Sequence, residues 1–412
     1  MSDPIEQETR DTPPRTRYAV FLVCSDIDTF GHNAVFAQEI GAALQDLGWH
    51  SRIMDYRREA RSVQEALHDE DCAFFVCFNG FGSELSLANQ VPGGLTSAFG
   101  YHRKPLFDLM HDCPSHESMA HQMHVRDGIR TVLMTDYGYV QEAQELGFAD
   151  VRFVPSITFP QTLPAAARTE KRRPISVLLP VQLPRVSSAD NRFHHAGNYR
   201  QRIHREIFEA VTDLCISDLG IDPRVETRRA CREAGVGFDP RDPDHRFLLT
   251  GIIDRTKYAR RRNLVRALRG LPVTIVTDDR AESALVEGLS IAPERSFHDL
   301  LRLMAEAECV VCPLPHMTGF HERALGAFTA GAAVITAPNN ILEVEFRHGQ
   351  DMVVYRTATE LAEMLPSLLA GPDRLRAIAR SGQDIALNRF APRRLAETML
   401  AAWQVRRTRH FV

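Results

Sequence analysis

From Tyr18 onward, short runs of apolar residues alternate with stretches in which apolar positions recur every three or four residues. The runs YAVFLVC, SRIMDY and CAFFVCF read as strands, with one helix over Ala34 to Leu47 and a second helix between the latter two strands. The same grammar continues through PLFDLM (Pro105 to Met110), TVLMT (Thr131 to Thr135), a helix near Tyr139 to Leu146, and VRFVP (Val151 to Pro155). Strands that are apolar throughout need cover on both faces. Six of them joined by crossover helices predict an α/β fold with a doubly wound parallel sheet.

Between Pro155 and Pro174 the text becomes FPQTLPAAARTEKRRP, where proline and charge displace the periodic apolar positions, as expected of a connection between domains. The strand ISVLLP then opens a second unit, and a long stretch of helical periodicity, including YRQRIHREIFEAVTDLCI, precedes the next strand, PVTIVT. A helix near Phe297 to Ala307, the strand ECVVC, a helix from about Phe320 to Ala330 stopped by Gly331, and the strands AAVIT and DMVVY follow. Helical segments over Ala358 to Leu369, Pro372 to Leu387 and Pro392 to Val405 close the chain. The expected organisation is a leader at 1–17, a first domain at 18–160, a linker at 161–174, and a second domain at 175–390 with a helical insertion at about 184–268. A final helix at 391–412 is expected to pack back on the first domain. Ligands of open α/β sheets sit outside the carboxyl ends of the strands, so two such edges facing each other would form one shared cleft.

A chain of 412 residues exceeds what one hydrophobic core organises, and 44% hydrophobic residues suffice for two. The opening MSDPIEQETRDTPPRTR lacks the apolar centre of a signal peptide and reads as a disordered polar leader. No apolar run reaches the ~20 residues that span a bilayer. The expected location is cytoplasmic, with no transmembrane segment and peripheral membrane contact left open. A formal net charge of −4 argues against nucleic acid as a partner. The cysteines read as reduced small hydrophobes, and Cys309 and Cys312 point to opposite faces of a strand. His111, His116, His121 and His124 do not have metal-ligand spacing, and Asp278-Asp279 stands alone, so no metal site is expected.

The chemistry concentrates in TGFHERALGAFTAGAAVITAPNN, Thr318 to Asn340, at the ligand edge of the second sheet. Gly319 lets a backbone come close, and the first-turn amides with the positive end of the helix dipole favour an anion such as a diphosphate. The expectation is that amides near Thr318, Gly319 and Phe320 act with Arg323 on the phosphates. His321 and Glu322 would orient hydroxyls of such a ligand, and Asn339 and Asn340 would line the same edge. In the first domain the loops SDIDTFGHN, NGFGS and HDCPSHES follow strand ends. Gly31, His32 and Asn33 would lie under the diphosphate or against an acceptor. His111 and Asp112 emerge together from an apolar strand, and a carboxylate or imidazole so placed can deprotonate an acceptor hydroxyl; the alternative is an Asp bonding its own turn.

The run TGFHERALGAFTAGAAVIT, continued by APNNILEVEFRHGQDMVVY and the helices through LAETML, resembles the C-terminal half of GT-B glycosyltransferases of the group 1 superfamily, in the spore-maturation-protein-like branch. Arg323, Gly331, Asn339, Phe346, Gly349 and Tyr355 follow that pattern in order. The resemblance implies two facing Rossmann-like domains, and transfer of a sugar from a UDP-, GDP- or dTDP-sugar to a hydroxyl of a glycan, lipid or protein acceptor, with no further cofactor required. One departure stands out: Thr318 and Gly326 occupy positions where the wider superfamily carries glutamates. Upstream, GIIDRTKYARRRNLVRAL resembles a segment in related transferases, which makes Arg255, Arg261 and Arg262 candidate phosphate or acceptor contacts; the alternative is a solvated helix face. The rival readings are a non-catalytic protein that binds a nucleotide sugar or a partner, and a nucleotide-sugar epimerase. A simple dehydrogenase is disfavoured because CSDIDTFGHN lacks G-x-G-x-x-G.

Overall fold

The computed structural model describes residues 17–409 apart from 29, 84, 86–96, 117–118, 120–127, 164–172, 184–198, 278–282, 294 and 314–316. Residues 1–16 of the expected leader, most of the linker, His121, His124 and Asp278-Asp279 therefore lie outside the described residues.

The first lobe comprises β1 (Tyr18–Val23), α1 (His32–Asp46), β2 (His50–Asp55), α2 (Ala60–His68), β3 (Cys72–Phe78), α3 (Ala98–Tyr101), β4 (Leu106–Met110), β5 (Arg130–Met134), α4 (Tyr137–Glu145) and β6 (Val151–Phe153). Its sheet runs β2-β1-β3-β4-β5-β6 with every pair parallel. β3 is buried along its whole length, as an unbroken apolar strand between two helical layers must be.

The second lobe begins with β7 (Ile175–Pro180) and the helices α5 (Tyr199–Ser217), α6 (Pro223–Glu233) and α7 (Pro243–Ala267). It continues with β8 (Val273–Thr277), α8 (Ser283–Val286), β9 (Ser290–Pro293), α9 (Phe297–Ala305), β10 (Ala307–Cys312), α10 (Glu322–Thr329), β11 (Ala333–Thr336), α11 (Leu342–Glu345) and β12 (Val353–Val354). The helices α12 (Ala358–Ala370), α13 (Pro372–Arg389) and α14 (Pro392–Arg409) end it. This sheet is also parallel throughout, in the order β12-β11-β10-β7-β8-β9. The edge strand β9 has no counterpart in the sequence reading, because SIAP is largely exposed and carries no apolar run.

Two features of the packing set up the site. The helices α5 to α7 close a core of their own around Ile207, Phe208, Val211, Cys231, Leu248 and Ile252. Prolines in the first turns of α6 and α7, with Asp222 and Asp242 capping their amides, fix where those two begin. The two lobes also share one core: Phe36 of α1 meets Phe159 at 5.2 Å between ring centroids, and Phe159 meets Phe297 of α9 at 5.2 Å. The last helix, α14, lies on the first lobe, where the Trp403 indole donates to the Ala73 carbonyl at 3.1 Å and Arg406 pairs with Asp150 at 2.8 Å.

Candidate active site in the cleft

The carboxyl ends of both sheets turn toward the same cleft, which holds two neighbouring cavities of about 830 Å³ and 370 Å³. Both are walled by Asp112 of the first lobe and by Gln182, His321, Glu322 and Arg323 of the second. The larger extends between α6, α7 and the first-lobe residues His116 and Tyr139. The smaller extends past His32, Asn79 and His111 toward the ends of β7 and β8 and the start of α9. The cluster His321-Glu322-Arg323 therefore stands where the two spaces meet.

His321 is the N-cap of α10, its Nδ1 accepting the Arg323 amide at 3.2 Å. The same Nδ1 lies 3.0 Å from Glu322 Oε2. One nitrogen cannot serve both at once: a neutral imidazole caps the helix, while an imidazolium pairs with the carboxylate. Burial pushes the imidazole below its usual range, outweighing the pull of Glu322. Burial alone would raise Glu322, yet His321, with His32 and Arg323 behind it, holds that carboxyl well below the usual range. Glu322 is thus ionised at neutral pH.

Two guanidiniums complete this wall. Arg323 Nη1 and Arg261 Nε are buried and have no hydrogen-bond partner among the described residues. Arg261 is 5% exposed and donates through Nη1 to the Gln182 carbonyl at 3.3 Å. Burial, and then the neighbouring Arg323, push Arg261 down to about 9, so it is still cationic at neutral pH. Buried cations with open N–H groups are costly unless an anion answers them, and the planar fork of Arg suits a phosphate or carboxylate.

Several expected donor contacts have other partners. The Phe320 amide donates to the Thr135 carbonyl of the first lobe at 2.9 Å, so it does not face a leaving group. Gly319 is glycine because a Cβ there would lie 2.7 Å from the Thr135 carbonyl oxygen and from Asp136 Cβ; what comes close is the other lobe, not a ligand. Thr318 donates its hydroxyl to Asp136 at 2.8 Å. Asn339 is fully buried, donates to the Gly319 carbonyl at 2.9 Å and accepts the Ile341 and Leu342 amides, so it caps α11. Asn340 is exposed and bonds the Met317 carbonyl through its backbone. Of the three upstream arginines, Arg255 lies over the Phe208 ring and only Arg261 lines the cavity. The helix mouth offers fewer free amides than its sequence suggests, and the cations nearest to it are Arg323 and Arg261.

In the first lobe, the α1 amides expected to approach a diphosphate are taken by Asp28, which accepts from His32 at 2.9 Å and Asn33 at 2.8 Å. The His32 ring packs 5.2 Å from His111 and 4.8 Å from Phe297 across the cleft, and Asn33 is buried beside it. Asn79, in a left-handed conformation at φ 48°, accepts the His111 amide at 2.8 Å and donates to Asp112 Oδ2 at 2.9 Å. It thereby aims Asp112 into both cavities. Asp112 opens onto the cavity space, yet protein from both lobes crowds it; that desolvation, and then the Glu322 carboxylate, raise its pKa. Sequence reasoning assigns no role to Asp28, whose partners are the amides four and five residues on, or to Asn79, Gln182 and Arg224, each of which has a partner remote in the chain.

Residues 259–401 match the family model described as glycosyl transferase-like. The whole chain is also similar in fold to a sucrose-phosphate synthase from Thermosynechococcus elongatus, with a TM-score of 0.54 at 12% identity, over 94% of this chain and 98% of that one. The chain has the fold of the GT-B glycosyltransferases. The Anabaena protein HepE in complex with UDP and glucose gives a TM-score of 0.49 at 14% identity, over 94% of this chain and 100% of that one. No curated protein matches in sequence. The family match does not resolve the spore-maturation-protein-like branch. The matched segment contains α10 with its charged trio, the last part of α7 with Arg261, the helices α12 and α13, and the first part of α14. No described helix is long and apolar enough to cross a membrane.

Proposed function

We propose that this glycosyltransferase takes its sugar from a UDP-, GDP- or dTDP-linked donor held mainly by the second lobe and passes it to a hydroxyl of a glycan, lipid or protein acceptor presented by the first. The observation that carries the reading is a pair of guanidiniums, half-buried Arg323 at the junction of the two cavities and buried Arg261 in the larger one, each with a buried N–H group that has no partner among the described residues. As the bond from sugar to diphosphate breaks, negative charge grows on the leaving oxygens, and fixed cations in a water-poor cleft stabilise that charge without reorganising. Glu322, ionised beside Arg323, accepts hydrogen bonds from sugar or ribose hydroxyls.

Asp112 is assigned as the base. Its raised pKa gives the carboxylate a higher proton affinity, which favours taking the proton from the attacking hydroxyl. Asn79 holds Oδ2 and leaves the other carboxylate oxygen for that proton. His111 is packed edge-on against Phe36 and His32 and shapes the pocket rather than leading the chemistry. A protein handling nucleotide sugars is placed in the cytoplasm.

The test is incubation with a panel of nucleotide sugars, with and without hydroxylated acceptors, followed by assay of free nucleoside diphosphate and of the sugar. Acceptor-dependent release is expected. An altered sugar still attached to its nucleotide would establish epimerisation instead, and tight binding of a donor with neither outcome would establish a silent binder.

A further inference from the structure

The polar contacts that join the two lobes beside the cleft converge on one side chain. Arg224, in the first turn of α6, is 8% exposed and reaches three parts of the molecule. Its Nη1 lies 3.1 Å from Asp136 Oδ1 of the first lobe, and its Nη2 lies 2.7 Å from Asp222 Oδ2 and 3.2 Å from the Thr318 hydroxyl. Asp136, the N-cap of α4, also accepts the Thr318 hydroxyl at 2.8 Å. Around this knot the Tyr137 amide donates to the Thr318 carbonyl at 3.0 Å, the Gly138 amide to the Thr318 hydroxyl at 3.3 Å, and the Phe320 amide to the Thr135 carbonyl at 2.9 Å. Gly138 has no side chain because a Cβ there would press on the Arg224 guanidinium at 2.8 Å.

The segment held in this way, Thr318 to Phe320, ends immediately before His321, so any slip of the seam moves α10 and its charged trio as a unit relative to the first lobe. We propose that Arg224 is a positioning residue that sets the register of Glu322 and Arg323 against Asp112 across the cleft. The kinetic part of this inference rests on the glycosyl-transfer reading; the structural part does not. A buried charge network with two acids and a hydroxyl has one good geometry, and loss of a member leaves the others desolvated and unpaired. Arg228 supplies the comparison. It stands on the same helix and bridges the same lobes, but its ion pairs go to Glu142 at 3.7 Å and Glu145 at 2.8 Å on α4.

The experiment compares Arg224→Gln, Arg224→Lys and Arg228→Ala with the unaltered chain in kcat and donor KM against pH, and in hydrogen exchange at the Phe320 and Tyr137 amides. Arg224→Gln is expected to lower kcat on the order of 10²-fold, the scale of a small misplacement of reacting groups, with donor KM nearly unchanged. Asp112 faces Glu322 from α10, His116 from its own loop, Lys257 from α7 and His32 from α1. Drawing Glu322 away moves the acid limb of the rate profile to lower pH. Exchange at Phe320 and Tyr137 speeds up, Arg224→Lys restores part of each effect, and Arg228→Ala reproduces none. Unchanged exchange at both amides in Arg224→Gln overturns the proposal, as does an Arg228→Ala variant with the same kinetic and exchange changes. If the unaltered chain turns over no donor, the functional reading falls, and the exchange comparison alone decides the register.

Discussion

Replacing Arg323 by alanine separates a site residue from a structural one, because the two roles predict different effects on stability. A guanidinium that supports the fold leaves its partners bare when removed, and the protein melts earlier. Arg323 has a buried Nη1 with no partner among the described residues, and its charge is one of the causes that depress Arg261. Removing it relieves that like-charge contact and also withdraws a cation from Glu322, so the two changes offset and the ligand-free variant should melt close to the unaltered protein. Activity should change far more. One fixed donor aimed at developing charge is worth about 2.7 to 4 kcal/mol, so kcat should fall by roughly 10² to 10³. Binding offers an independent measurement. For the unaltered chain, a nucleoside diphosphate at about 100 times its Kd adds about 2.7 kcal/mol of stability, and Arg323→Ala should lose most of the corresponding Tm shift. Steady-state kinetics and thermal melts with and without diphosphate settle the matter. Unaltered kcat with a retained diphosphate shift would refute the placement of the leaving group, and a Tm drop of many degrees would mark Arg323 as a structural cation.

Asp112→Asn should lower kcat by about 10² to 10⁴, the range for loss of a positioned base. Its folded-state pKa is raised, so its stabilising contribution is present at low pH and lost as pH rises through the folded value; the amide should therefore melt at least as high as the carboxylate at neutral pH, and a lower Tm there would contradict the desolvation argument. Gly326→Glu, which restores a glutamate found in the wider superfamily, should not raise transfer, because a Cβ at 326 points to Leu301 Cδ2 at 2.6 Å rather than into a cavity. Overpacking of that kind costs about 1 to 3 kcal/mol, and a gain in kcat without that loss in chemical denaturation would overturn the assignment.

Both sheets are legible in the sequence because a strand buried on two faces must be apolar throughout, and CAFFVCF, ISVLLP and ECVVC announce themselves in that way. SIAP does not, since an edge strand exposed on one side needs no such run. The trio at 321–323 is legible as chemistry because three titratable side chains open a helix at a sheet's ligand edge. The roles of its neighbours are not. A sequence shows that Gly319 and Asn339 are special, but not whether the group that comes near is a phosphate or the other half of the protein. Asp136 and Thr318 lie 182 positions apart, and nothing local to either predicts their hydrogen bond. Asn79 shows the same limit: NGFGS reads as a turn, and its hold on Asp112 comes from the adjacency of β3 and β4, to which no residue in the motif testifies.

The electrostatics of the cleft and its seam belong to one problem. Two guanidiniums with buried N–H groups and a carboxyl with a raised pKa repay little in the empty protein, so something else must keep α10 pressed toward the first lobe. The shared aromatic core through Phe36, Phe159 and Phe297 supplies non-directional attraction, and that alone would tolerate sliding. The backbone bonds at Thr318 and Phe320 and the Arg224 knot supply direction. On the proposed reading, a diphosphate entering beside Arg323 and Arg261 removes the repulsion that the seam holds in check, so donor and seam stabilise each other by the same amount. Cleavage leaves the diphosphate in that favourable place after the sugar has gone. Release of the nucleoside diphosphate, which must separate those charges again, is therefore the step most exposed to ionic strength, and added salt should speed turnover wherever that release limits kcat.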